Sequence, residues 1–152
     1  MNSLPFYKGG DKLPNKILPE GYENQVRIDL GVTQSVLSDT DIQSKATLAE
    51  ALIIRSVPNY QEILEGNDDR KTFLQSAVIA KVCSLLCSGM SQRVKVQQQD
   101  ETLYAYRIQS IDWKAKKAEF EEMVTGYIGM VLGNELTTHT LLGVVKNDRP
   151  KT

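Results

Sequence analysis

The sequence predicts a mainly α fold, a three-to-four-helix bundle with a small β-hairpin and extended N- and C-terminal arms. Three observations point there. Apolar residues recur at helical spacing in three long stretches, and the period drops to two between the second and the third. A start rich in proline and glycine and an end rich in threonine fit neither period. The division that follows is an arm over residues 1–24, a helical domain over 25–134 with the hairpin near 93–108, and a second arm over 135–152.

In the first arm Pro5, Gly9, Gly10, Pro14, Pro19 and Gly21 leave no room for a helix or a central strand. Leu4, Phe6, Tyr7, Leu13, Ile17, Leu18 and Tyr22 are too many apolar groups for a purely solvating tail, so some surface is expected to cover them. A short apolar stretch from Val26 to Val32 follows. Ser38-Asp39-Thr40-Asp41 then has the form of a helix N-cap, with acids in the first turn. Ile42, Ala46, Leu48, Ala49, Leu52, Ile53 and Val57 continue that helix, and Pro58 stops it because the residue before proline is disfavoured in the α region. Asn59 to Glu65 adds a short turn of helix.

Asp68 and Asp69 open the next helix at the positive end of its dipole, and Gly89 is its expected C-cap. Its apolar residues, from Phe73 to Leu86, occupy more than one face. Such girth places a helix centrally, against several neighbours or a second subunit. Val94 and Val96 then alternate with Arg93, Lys95 and Gln97, and Tyr104, Tyr106 and Ile108 alternate with Ala105 and Arg107. The pattern reads as a hairpin joined by a four- or five-residue loop. Ser110 is the expected cap of the last helix, Ile111 to Leu132. There Trp113, Phe120, Met123, Val124, Tyr127, Ile128 and Val131 form one stripe, while Asp112 with Lys116 and Lys117 with Glu121 are spaced as ion pairs. Phe73, Ala77, Leu85, Phe120, Val124 and Tyr127 are the expected core. Beyond Gly133-Asn134, residues Leu136, Thr138, Leu141, Leu142, Val144 and Val145 form a β-prone segment. It is suited to an edge strand or to strand addition on a partner.

The 152 residues suffice for one core, and 18 basic against 19 acidic residues give a net charge of -1 with the signs interspersed. A free-standing nucleic-acid binder carries a basic footprint, and none is visible. No apolar run approaches a membrane span, and residues 1–10 lack the apolar core of a signal peptide, so synthesis inside the cell is expected. Cys83 and Cys87, the only cysteines, lie one helical turn apart and read as small core hydrophobes. Zinc would need about four ligands, and His139 is the only histidine.

Catalytic chemistry finds little support. His139 in Thr137-Thr138-His139-Thr140 has no motif that supplies it with a nucleophile. Gly9-Gly10-Asp11-Lys12 lacks the spacing of a phosphate loop. Glu119, Glu121 and Glu122 share their helix with Lys114, Lys116 and Lys117, which suits a salt-bridged face better than a metal site. Tyr104 and Tyr106, flanked by Arg93, Lys95 and Arg107, read as core or subunit interface more than as a platform for bases. The expectation is a protein without enzymatic activity or cofactor that binds other protein subunits.

The order of parts resembles the head-tail connector, or adaptor, proteins of long-tailed bacteriophages. The residues that carry the likeness run from Val26-Arg27-Ile28-Asp29-Leu30-Gly31 through Leu37-Ser38-Asp39-Thr40-Asp41-Ile42 to the Ala49-Glu50-Ala51 helix ending in Ser56-Val57-Pro58. They continue in the Phe73 to Ser88 helix with its Gly89-Met90, the alternating stretch to Ile108, and Ile111-Asp112-Trp113. The resemblance implies a structural protein of the virion neck, assembled in the bacterial cytoplasm into a homo-oligomeric ring, commonly a dodecamer. Such a ring docks below the portal protein, extends the DNA channel, meets DNA in passing and offers a stopper or tail-completion protein its attachment site. It further implies a C-terminal portal-binding segment, which here would be Leu136 to Val145, and puts Arg93, Lys95, Tyr104, Tyr106 and Arg107 at a subunit interface or the lumen. The long proline-rich first arm departs from the compact members. A tail-completion or stopper protein, with a more β-rich core, is the nearest alternative. A DNA-binding packaging or regulatory protein is the other, and there the lysines of the last helix are offset by acids.

Overall fold

A computed structural model describes residues 15–97 and 111–133, which hold six helices and no strand. Helix α1 (Tyr22–Leu30) begins inside the expected arm and runs through most of the apolar stretch that follows it. Gly21 and Gly31 flank it at φ 81° and 74°, conformations that cost glycine least. Gly31 ends it: its N–H donates to the Arg27 carbonyl at 2.8 Å and the Val32 N–H reaches the same oxygen at 3.0 Å, so carbonyls that helix ends usually leave free are satisfied. Tyr22, Val26 and Leu30, each four apart, point into the core. Ile17 and Leu18 are buried as well, so the helical body starts before residue 25 and the expected boundary of the arm moves toward the N-terminus. Pro19 and Gly21 lie between those two residues and α1.

Helix α2 (Asp39–Ser56) begins with the expected cap. The Ser38 hydroxyl accepts from Asp41 N at 3.2 Å and the Asp41 carboxylate accepts from Ser38 N at 3.4 Å, a reciprocal capping box. It ends at Val57, before Pro58, and α3 (Tyr60–Glu65) supplies the short turn. Helix α4 (Arg70–Cys87) is the centre of the molecule. Leu74, Ala77, Val78, Ala80, Val82, Cys83, Leu86 and Cys87 are all buried. Its girth is filled within one chain, by α6 (Trp113–Leu132) along one side and by α1, α2 and α3 on others. Each fully buried leucine or valine there contributes roughly 1.5–3 kcal/mol of burial energy.

The first strand of the expected hairpin is not a strand. Residues Met90–Gln97 form helix α5, joined to α4 through Ser88 and Gly89. Ser88, with helical φ of -60°, takes the C-cap role expected of Gly89. The physical reason is local: Gln92, Arg93, Lys95 and Gln97 are good helix formers, and two valines two apart make too short a run for the alternation to prevail. Met90, fully buried, anchors the start of α5 to the core. The second half of the expected hairpin, with Tyr104, Tyr106 and Arg107, lies outside the described residues, as do residues 1–14 and the arm from Asn134 onward.

Helices α4 and α6 run antiparallel. Phe73 near the start of α4 stacks on Tyr127 near the end of α6, at 6.4 Å between centroids and 22° between planes. Near their opposite ends Ser84 meets Lys117. The cap of α6 is Asp112, whose carboxylate accepts from Ala115 N at 3.1 Å, and not Ser110. Of the six residues expected in the core, Ala77, Phe120 and Val124 are buried, while Phe73, Leu85 and Tyr127 are half-buried at the edge of the seam. Met123 departs from the expected stripe: it is 41% exposed.

Candidate functional site

The polar chemistry of the described body is concentrated in three places where side chains tie elements together. Arg27, at 7% exposure, extends from α1 across to the start of α2. Its Nε donates to the Leu37 carbonyl at 2.8 Å, one terminal nitrogen donates to the Asn24 side chain at 3.0 Å, and the other pairs with Asp39. A guanidinium can satisfy three acceptors in fixed directions, which is why this corner requires arginine and not lysine. Gln43 adds a second tie to α1 by donating to Glu23 at 2.7 Å.

Glu50 is the second tie. It occupies a core position of α2 between Ala46, Ala49 and Ile53, and is 5% exposed. Its carboxylate accepts from three consecutive backbone N–H groups: Lys16 at 2.9 Å, Ile17 at 2.7 Å and Leu18 at 2.8 Å. Gln75 of α4 donates to the Ile17 carbonyl at 3.2 Å from the other side. A non-helical segment is thereby held between α2 and α4 with its backbone groups satisfied, as burial demands.

The third lies between α4 and α6. Lys81 donates to both oxygens of Glu121, at 3.1 and 3.0 Å, and the buried Ser84 hydroxyl donates to the same carboxylate. Lys117 donates to the Ser84 carbonyl at 3.2 Å and to its hydroxyl at 3.3 Å. Burial would raise the pKa of Glu121, but the hydrogen bonds from Ser84 and Lys81 and the charges of Lys81 and Lys117 outweigh it and hold the carboxyl below its ordinary value. Hydrogen bonds across the two helices therefore replace the Lys117–Glu121 pair expected along one helix. Asp112 is spent on its cap and Lys116 lies over the Phe120 ring, 5.7 Å from its centroid, instead of pairing with Asp112.

A serine beside a lysine invites comparison with nucleophilic catalysis, but Ser84 is fully buried and no substrate could reach it. Cys83 and Cys87 are both buried. Desolvation pushes the Cys83 thiol far up and that of Cys87 up to about 11, leaving both as protonated core residues. Among the described residues no cluster of His, Cys, Asp or Glu is arranged to hold a metal ion, and no helix is long and apolar enough to cross a membrane.

Of the sequence-predicted interface or lumen residues, Arg93 is the one whose side chain is described, and it faces inward: its guanidinium pairs with Asp41 of the α2 capping box at 3.0 Å. That ion pair ties α5 to the start of α2. The side chain of Lys95 and all of Tyr104, Tyr106 and Arg107 lie outside the described residues. So do Leu136, Thr138, Leu141, Leu142, Val144, Val145 and His139.

The apolar groups that α6 leaves at the surface were not anticipated. Met123 and Met130, 41% and 48% exposed, stand two turns apart on the outer side of α6 with Gly126 between them, and Leu132 is 49% exposed at its end. Methionine adapts its shape to whatever it meets, so an exposed pair of this kind suits a protein contact. The single stripe expected of α6 includes Met123 and omits Met130 and Leu132. A wheel count that separates Met123 and Met130 from Phe120, Val124 and Val131 would have found two.

Comparison with protein-family models, with curated proteins and with solved structures finds no match to this chain.

Proposed function

We propose that this protein is a structural component of a bacteriophage neck: a head-tail connector whose copies form a ring below the portal, extend the DNA channel and present an attachment site to the tail. One observation carries the reading. Two of the stretches that carry the resemblance hold polar residues that tie the body together, Arg27 to Leu37 and Asp39 and Glu50 to the entering chain. The helical body also favours an adaptor over the more β-rich stopper, and Met123, Met130 and Leu132 offer apolar contacts to a neighbouring subunit.

The near-neutral charge supports a role in which DNA only passes. A channel wall gains from loose phosphate contacts, whereas a static binder needs tight ones. Two lysines of α6 are committed inside the subunit, Lys117 to Ser84 and Lys116 over Phe120, which leaves that helix poorly equipped to read a groove.

The test is native mass measurement of the full chain, alone and with portal rings of the same phage. A portal-dependent ring is expected, and deletion of residues 136–152 should abolish docking while leaving the thermal melt nearly unchanged. Absence of any portal complex, or submicromolar and strongly salt-dependent binding of the isolated subunit to duplex DNA, overturns the reading.

A further inference from the structure

Helix α4 is the middle of three layers. Phe73, Lys81 and Ser84 turn toward α6, at Tyr127, Glu121 and Lys117, whereas Gln75 and Cys83 reach the Ile17 carbonyl and the Val26 carbonyl of α1. With about 3.6 residues per turn the two sets fall on opposite sides of α4. Helix α2 belongs to the second side, through Glu50 and the segment it holds. The outward faces of α2 and α6 therefore look away from each other.

Both faces carry apolar side chains that the described body leaves uncovered. On α2 Leu48 is exposed and Leu52, one turn further, is half-buried. On α6 Met123 and Met130 are exposed, in a stretch from Met123 to Leu132 without a charged residue. A helix segment of that composition is usually covered on more than one side, and among the described helices α6 packs mainly on α4.

The charges beside the two faces are opposite in sign. Lys45 and Arg55 flank Leu48 and Leu52 on α2, and Glu119 and Glu122 precede Met123 on α6. None of these four forms an ion pair with a described residue. Asp41, the acid on the outer side of α2, is taken up by Ser38 and Arg93. On α6 Lys116 lies over Phe120, Lys117 is bound to Ser84, and Lys114 stands back at the start of the helix. Two copies meeting through the same face would bring like charges together, whereas unlike faces attract. Two complementary patches on opposite sides of one subunit are what a head-to-tail contact needs.

We propose that the α2 face of one copy seats on the α6 face of the next, Leu48 and Leu52 against Met123 and Met130, and the cations of α2 against Glu119 and Glu122. Each copy uses both faces, so the contact repeats, and a ring closes where its rotation divides a full turn. Closure into a ring rests on the connector reading; the contact itself is tested without the portal.

Cys83 and Cys87 are buried, so full-length chains carrying one added surface cysteine report the contact by disulfide cross-linking under a mild oxidant. A mixture of Leu48→Cys and Met123→Cys chains should cross-link faster than either variant alone. It should also outpace Leu48→Cys mixed with Lys71→Cys, which alters an exposed residue at the start of α4. Reversing the acids of the Met123→Cys chain, by Glu119→Lys and Glu122→Lys, should slow the reaction about tenfold, and Lys45→Glu with Arg55→Glu in the Leu48→Cys chain should restore it. None of the altered side chains is buried, so thermal melts should stay near that of the wild type. The proposal is overturned by a mixture no faster than the control, by preferential cross-linking of Met123→Cys chains with one another, or by a rate that the α2 reversals fail to restore. Each of those results leaves the connector reading to portal docking. Cross-linking as expected in a protein that never docks on portal rings keeps the contact and overturns the connector reading instead.

Discussion

Glu50 and Glu121 each accept three hydrogen bonds, yet they hold the molecule in opposite ways. Glu50 is buried, and its donors are three consecutive backbone amides of a segment without secondary structure. Glu121 has a side chain 40% exposed, and its donors are the side chains of Lys81 and Ser84 on the facing helix. The first fixes where the chain enters the body; the second fixes how two helices sit against each other. A carboxylate balanced by backbone amides has no substitute, because the amides remain buried whatever residue replaces it. One balanced by cations at the surface leaves partners that water can satisfy.

The apolar seam around the second glutamate sets the scale. Phe120, buried one residue before Glu121, should cost about 3–5 kcal/mol when truncated to alanine, as large core truncations do, measured by urea denaturation. A loss under about 1 kcal/mol would mean that α4 and α6 pack without it and that polar contacts dominate their pairing. Next comes Glu50→Gln. One amide oxygen cannot accept from all three N–H groups, and its NH₂ adds donors where acceptors are needed, so a loss of about 2–3 kcal/mol is expected. Hydrogen exchange at Ile17 and Leu18 should accelerate while amides in the middle of α4 keep their protection relative to global stability. Unchanged protection at those two residues would show that α1 and Gln75 hold the segment without the carboxylate.

The smallest effect belongs to Glu121→Gln, no more than about 1 kcal/mol near neutrality, because its partners are partly exposed and screened. Its pH dependence sharpens the contrast. A carboxyl held below its ordinary value contributes stability that is complete above the unfolded-state pKa and is lost as pH falls through the folded-state value. The difference between wild type and variant should therefore be fully present near neutrality and shrink as the pH falls through the lowered folded-state value. A difference that persists in acid would assign the cost to altered packing instead of charge.

The long helices were legible because each carried signals that agree: a cap at Ser38, a stop at Pro58, and apolar spacing through α2, α4 and α6. The misread elements were those with one weak signal. Val94 and Val96 suggested a strand on two repeats, and Tyr22–Leu30 was divided between an arm and an apolar stretch because flanking glycines were read as breakers when they serve as caps. Glu50 left a trace in the sequence, a lone carboxylate at a position where Ala46, Ala49 and Ile53 demand an apolar residue. That mismatch marks a buried polar tie without naming its partner. The partners of Glu121 left none, since Lys81 and Ser84 meet it only when α4 and α6 lie antiparallel.

By itself the sequence determined that three long helices form and roughly where, and that one of them would be surrounded, because capping, proline geometry and apolar periodicity act within a few residues of the chain. Tertiary structure alone decided which neighbours surround α4, that Lys16 to Leu18 would be held by Glu50, and that Lys117 would turn to Ser84 instead of to the acid one turn further along its own helix. Those choices depend on groups 30 or more positions apart meeting in space. A buried donor takes whichever acceptor the packing brings near, and local sequence does not encode that proximity.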